Sequence, residues 1–278
     1  MLLHTDKFEY LCHSSGTSKL LQQLPFTTQY FQYTTGNDTQ LNPIQLTTDL
    51  GVHIDSDLSW SPHISMMCDG ARKKLSWVLS VFKDRSKNVM LCLYKSLIRS
   101  KLEYCCPLWD PTNMEDIIKI ESVQRHFTSK VKNLSDLHYW ERLKILKLMS
   151  LQRRRERYSI IHIFKILNDL TPNELQLHFY VSDRRGYKVK LPPIPKQSKQ
   201  KHLSKYYSSF TIRASKLWNH LPAEITVIQS MDKFKSSLGS YLDTIPDHPP
   251  LHDENTKNSI LDYNFRDRTG GHLGETRW

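Results

Sequence analysis

No stretch of about 18 consecutive apolar residues occurs in the chain, so the sequence predicts no membrane-spanning helix. The first residues also lack the basic-then-apolar layout of a secretory signal. Glycine is scarce, nine in 278 residues, and none belongs to a GxxxxGK[ST] phosphate cradle or a GxSxG nucleophile elbow. HExxH is missing as well. The five cysteines (Cys12, Cys68, Cys92, Cys105, Cys106) contain no CxxC, and two of them are adjacent. An odd set so spaced is expected to be reduced thiols in an intracellular protein, of the nucleus or cytoplasm, rather than a disulfide framework. Thirteen histidines, among them His63, His126, His138 and His162, never combine with cysteine at zinc-ligand spacing, so neither a metal nor another cofactor is expected. These gaps remove the enzyme classes that carry local signatures, though a constellation assembled from distant residues would leave none.

What the chain does have is positive charge. Thirty-nine Lys and Arg against 28 Asp and Glu give a formal +11, which favours polyanionic partners because each neutralised phosphate releases a condensed counterion. Apolar residues make up 38%, enough to build a core over a length that suits about two domains. No repeat of period 20–50 is present, which argues against a solenoid or propeller.

Residues 1–55 read as short strands: FEYLC at 8–12, YFQYTT at 30–35 and LGVHI at 50–54 are β-rich runs separated by Ser, Gly, Asn and Pro. From Pro62 the period changes. Ile64, Met67, Ala71, Leu75, Val78 and Phe82 recur every three or four residues and predict a helix over 62–82. Leu91, Tyr94, Ile98 and Leu102 predict a second over 87–104, ended by Pro107 and Pro111. A third is expected over 113–131, with Asn113 as N-cap and Glu115 and Asp116 at its positive end. A long helical tract beginning at Leu143 should then run through Phe164 to about 169, where Pro172 stops it.

The expected fold class is therefore α+β and predominantly helical. A β segment at 1–60 precedes a helical bundle at 61–182, and the Pro-containing basic stretch 183–209 reads as a linker and domain boundary. A short helical block follows at 210–245, with Leu217, Trp218, Leu221, Phe234, Leu238 and Tyr241 as core candidates, and the polar, aperiodic 246–278 is expected to be disordered.

The sharpest electrostatic feature is the run Arg153, Arg154, Arg155 and Arg157. Such positions fan over a wide arc of a helix, so several could track one phosphate backbone; the plainer reading is a charged solvent face partly compensated by Glu156. The linker adds Arg184, Arg185, Lys188, Lys190, Lys199 and Lys201 among Tyr187, Tyr206 and Tyr207, a mixture suited to phosphate contact and base stacking, though basic linkers also occur without function. Asp55 and Asp57 could form a minimal metal clip, but no third carboxylate accompanies them, so a solvated turn is the better reading. Trp60, Trp77, Trp109, Trp140 and Trp218 each sit in or beside an apolar pattern and read as core or contact residues rather than stacking platforms.

Several blocks carry a resemblance. DLGVHIDSDLSWSPHI at 49–64, YKSLIRSKLEYCCPLWDP at 94–111, IESVQRHFTSKV at 120–131, YWERLKILKLMSLQRRRERYSIIHIFKIL at 139–167 and FTIRASKLWNHLPAEI at 210–225 resemble, in order and spacing, the region downstream of the polymerase palm in Jockey-like non-LTR retrotransposon (LINE) reverse transcriptases. MLLHTDKFEYL at 1–11 is similar to the segment that follows the catalytic aspartate pair there, with His4 replacing the family's Asn. The resemblance implies a palm remnant, a thumb-like bundle that grips template and primer through their backbones, and RNA or DNA as partner with little sequence preference. The family holds two magnesium ions on a Tyr/Phe-x-Asp-Asp turn and a further aspartate, whereas no Asp-Asp dipeptide occurs here. This chain alone is therefore expected to bind nucleic acid and not to polymerise, with a palm and fingers chain as a further partner. The alternatives are a reverse transcriptase of which this is part, and a protein-interaction module using the Leu-rich face of 143–170.

Overall fold

The computed structural model describes residues 9–11, 43–182, 186–193, 206–251 and 258–262. The strand expected at 30–35, and Arg184, Arg185, Lys199 and Lys201, lie outside the described residues. The chain forms two compact units, Met1–Met67 and Cys68–Trp278.

In the first unit β1 (Tyr10–Leu11) pairs in parallel with β2 (Pro43–Ile44), and β3 (Leu46–Asp49) pairs antiparallel with β4 (Val52–Asp55). The hairpin needs two residues in the left-handed region, and Leu50 (φ 46°) and Gly51 (φ 83°) supply them, the backbone twist that fits two-residue connections. The His53 amide donates to Nδ1 of His63 at 3.2 Å, and burial with His53 nearby pushes His63 down to about 4. Asp55 accepts from the amide (2.8 Å) and hydroxyl (2.7 Å) of Ser59. This carboxylate therefore closes a turn, in line with the plainer of its two readings.

Helix α1 (Ser61–Val81) starts in this unit and continues into the second. Trp60 stands at its entrance with φ 63°, and its carbonyl accepts the Ile64 amide at 2.9 Å, so this tryptophan forms the corner between strand and helix. The second unit continues with α2 (Lys87–Leu93), a π-helical turn (Tyr94–Arg99), α3 (Ser100–Glu103), α4 (Cys106–Trp109), α5 (Met114–Thr128), α6 (Tyr139–Leu146) and α7 (Leu151–Leu167). The hairpin β5 (Phe179–Ser182) with β6 (Gly186–Val189) leads to α8 (Phe210–His220), α9 (Ala223–Thr226) and α10 (Met231–Asp243). The molecule is mostly helical with a few short strands, in keeping with the expected class.

Three expectations are corrected by the structure. The tract from 143 to 169 is two helices, because Lys147 adopts φ 51° and the Ser150 hydroxyl recaps the chain by accepting the Arg153 amide at 3.1 Å. The stretch 183–209 is not wholly a linker: its residues 186–189 form β6, with Val189 buried against Ile163, Phe164, Trp218 and Phe234 in one apolar cluster. That cluster draws on both sides of the supposed domain boundary, since α7 packs against α8. Finally, part of the tail expected to be disordered is docked, with Asn258 and Ile260 buried.

Asn258 is fastened by hydrogen bonds to Ser150 Oγ (3.2 Å) and Asp247 (3.0 Å), and its carbonyl accepts from Arg153 (3.0 Å). A buried polar network also joins four helical segments. Tyr94 donates to Gln124, whose amide nitrogen donates to the Met149 carbonyl (3.1 Å), while Glu121 accepts from Tyr139 and from the Leu151 amide (3.0 Å). Burial pushes the Glu121 carboxyl up to about 7 against the downward pull of the Tyr139 hydroxyl and the Leu151 amide.

Candidate nucleic-acid interface

The arginine run is expected to face a polyanion as a group, and α7 divides it. Arg153 and Arg155 are each only 1% exposed. Arg155 directs Nε to Asp110 at 2.6 Å, and the other oxygen of Asp110 holds Arg213 at 2.6 Å, so one carboxylate ties the loop after α4 to α7 and α8. Arg153 donates to the carbonyls of Pro246 and Asn258, both at 3.0 Å, and approaches Glu156 at 3.9 Å. These two side chains fasten the fold and do not present their charge to solvent, because helix positions 153 and 155 both point into packed neighbours.

The other two share a different stripe of the helix, between the directions of 153 and 155. Residues 154, 157, 158, 161, 162 and 165 recur at three and four and share one face of α7. Arg154 forms a two-pronged ion pair with Glu103, and Tyr158 completes a triangle by accepting from Arg154 (2.6 Å) and donating to Glu103 (3.0 Å). Arg99 approaches the same carboxylate at 3.7 Å. Two guanidinium groups around one carboxylate leave a net positive charge. Arg157 is half-buried beside Arg154 with no carboxylate partner among the described residues; burial and then Arg154 pull its pKa down from the ordinary value. Lys165, one turn beyond Ile161, likewise has no acidic partner among the described residues.

Beside this stripe a cleft of about 360 Å³ opens between α3, α4 and α7, lined by Glu103, Tyr104, Cys106, Tyr158, His162 and Lys165 among others. The turn between α3 and α4 shapes it. Cys105 takes φ 52°, and the fully buried Trp109 donates from Nε1 to the Tyr104 carbonyl at 2.8 Å. The Tyr104 side chain is thereby left 51% exposed. His162 is wedged edge-on against Phe210 (5.3 Å between ring centres), and burial followed by Lys165 lowers its pKa, which favours the neutral ring.

The remaining predicted cations separate in the same way. Lys188 is 4% exposed and donates to the carbonyls of Asn219 and Leu221, both at 3.0 Å, so it caps the C-terminal end of α8 where a cation is favourable. Lys190 is exposed at the end of β6. The Leu-rich face of 143–170 is packed: Leu143, Leu146, Leu151, Ile160 and Phe164 are all buried, which leaves it unable to dock a partner helix in this conformation. Of the tryptophans, Trp109 and Trp218 are core residues, whereas Trp77 is 48% exposed under the Lys74 ammonium.

Sequence reasoning missed Glu103, Tyr104, Asp110, His162 and Lys165. The pairing of Glu103 with Arg154 spans 51 positions and has no local signature. Tyr104 carries no local signature either, because its exposure follows from the left-handed Cys105 (φ 52°) and the Trp109 hydrogen bond. Among the described residues no group of three or more His, Cys, Asp or Glu is placed to hold a metal ion, and no helix is long and apolar enough to cross a membrane. Comparison with protein-family models, with curated proteins and with solved structures returned no match.

Proposed function

We propose that this chain binds the backbone of RNA or DNA without reading sequence, that it derives from the thumb-side region of a retrotransposon reverse transcriptase, and that it does not polymerise by itself. One observation carries the reading: on the face of α7 beside the cleft, Arg157 and Lys165 stand without acidic partners among the described residues, next to a Glu103 outnumbered by Arg154 and Arg99. Partnerless cations on one helical stripe, about 12 Å apart at 1.5 Å per residue, can meet two separate phosphates of one strand. The chain's formal +11 supplies long-range attraction. The lack of an Asp-Asp dipeptide supports binding without nucleotide transfer.

The test is filter binding of a mixed-sequence oligonucleotide at a series of salt concentrations, beside primer extension. The double variant Arg157→Gln/Lys165→Gln should weaken binding and make the log–log salt slope shallower by about 1.4 on single strands, about 0.7 for each phosphate no longer neutralised. An unchanged slope would discredit the assignment of this face. Template-directed incorporation by the purified chain would overturn the claim that it cannot extend a primer.

A further inference from the structure

We propose that the cleft beside Arg157 and Lys165 receives an unpaired base, so that this face prefers single-stranded nucleic acid to duplex; this rests on the backbone-binding reading above. A phosphate stripe alone would favour duplex, whose two strands give a higher charge density and release more counterions for each phosphate contact than a single strand does. The cleft supplies the discrimination. Its volume of about 360 Å³ falls in the range of small-molecule pockets, and two of its rings, Tyr158 and His162, are held by neighbouring side chains.

Tyr104 is displayed by a turn that cannot relax easily, because Cys105 is in the left-handed region and the buried Trp109 holds the Tyr104 carbonyl. Tyr158 is fixed through its hydroxyl by Arg154 and Glu103. His162 is braced by Phe210, and its lowered pKa leaves it an uncharged ring near pH 7. Lys165, which also lines the cleft, is placed to meet the phosphate of the nucleotide whose base enters. Exposed rings interleaved with cations form the surface on which bases of a single strand stack regardless of identity. A base in a duplex would first have to leave its stack and its partner, at a cost of a few kcal/mol.

The experiment measures fluorescence anisotropy of the full chain with a labelled 12-nucleotide single strand and with a duplex of the same length, at one fixed salt concentration. The expected result is single-strand binding about tenfold or more tighter than duplex binding. Tyr104→Ala should remove most of that preference by weakening single-strand binding about tenfold, with duplex binding unchanged within about twofold and Tyr104→Phe retaining the parent behaviour. Arg157→Gln/Lys165→Gln should weaken both substrates together. Equal affinity of the parent for the two substrates overturns the base-capture proposal and leaves the backbone reading standing, as does a Tyr104→Ala variant that changes neither substrate or both alike. Binding of neither substrate by the parent overturns both readings.

Discussion

Removal of the Asp110 carboxylate should show that half of the arginine run serves the fold. Asp110 is the shared acceptor of Arg155 and Arg213, each at 2.6 Å, with side-chain exposures of 10%, 1% and 11% for the three residues. Asp110→Ala leaves two guanidinium groups facing each other with no acid between them. For a buried pair broken from one side the loss is about 3–5 kcal/mol, most of it the desolvation of the stranded charge. Urea unfolding followed by tryptophan fluorescence would read this as a midpoint lowered by about 2 M for a slope of about 2 kcal/mol/M. Arg155→Met should cost much less. Two of the Arg155 nitrogens, Nη1 and Nη2, meet no oxygen among the described residues, and an apolar stem of similar length removes that burden with the charge. Combining Asp110→Ala with Arg155→Met should recover part of the Asp110→Ala loss, the signature of coupling in a double-mutant cycle. Arg155→Met should also leave the salt dependence of nucleic-acid binding unchanged. A loss below about 1 kcal/mol for Asp110→Ala, or strict additivity of the pair, would refute the account of Asp110 as a clamp.

Two further outcomes test the fold away from that clamp. Gly186 has φ 62°, and a Cβ there would lie 2.4 Å from Thr226 Oγ1 and 3.3 Å from the Ala223 carbonyl, so Gly186→Ala should destabilise by about 1–3 kcal/mol, visible as a lower thermal midpoint. The Glu121 carboxyl is pushed up to about 7 from 4.5, so its protonated form is the one the fold favours; that stabilisation is complete below pH 4.5 and is lost as pH rises through 7. The stability of the parent minus that of Glu121→Gln should therefore fall between pH 4.5 and 7.5 in denaturant titrations, and a difference that rises over this window would contradict the assignment.

The parts of the fold that can be read from sequence are those whose cause is local. Asn113 caps α5 as its position before Glu115 and Asp116 suggests, its side chain accepting the Glu115 amide at 3.2 Å. The period of Ile64, Ala71, Leu75 and Val78 marks α1, and all four are buried. The break between α6 and α7 has no such mark because it carries neither Gly nor Pro: Lys147 takes the left-handed conformation, and apolar residues continue through Leu148 and Met149. The candidate site is legible only as a concentration of charge. Which arginine turns inward depends on acids such as Glu103 and Asp110, 51 and 45 positions away from their partners, and on helix phase relative to a core that includes residues beyond 210. Four neighbouring cations thus receive two different jobs, set by angles of about 100° between successive positions on a helix.

The docking of Asn258 against the first turn of α7 has a consequence for biosynthesis. A ribosome that has released the chain only as far as α10 leaves Arg153 without its acceptor on Asn258 and Glu156 without the Ile260 amide at 3.1 Å. The two side chains acquire these partners only after residue 260 emerges, so nascent chains stalled earlier should be the ones that engage chaperones.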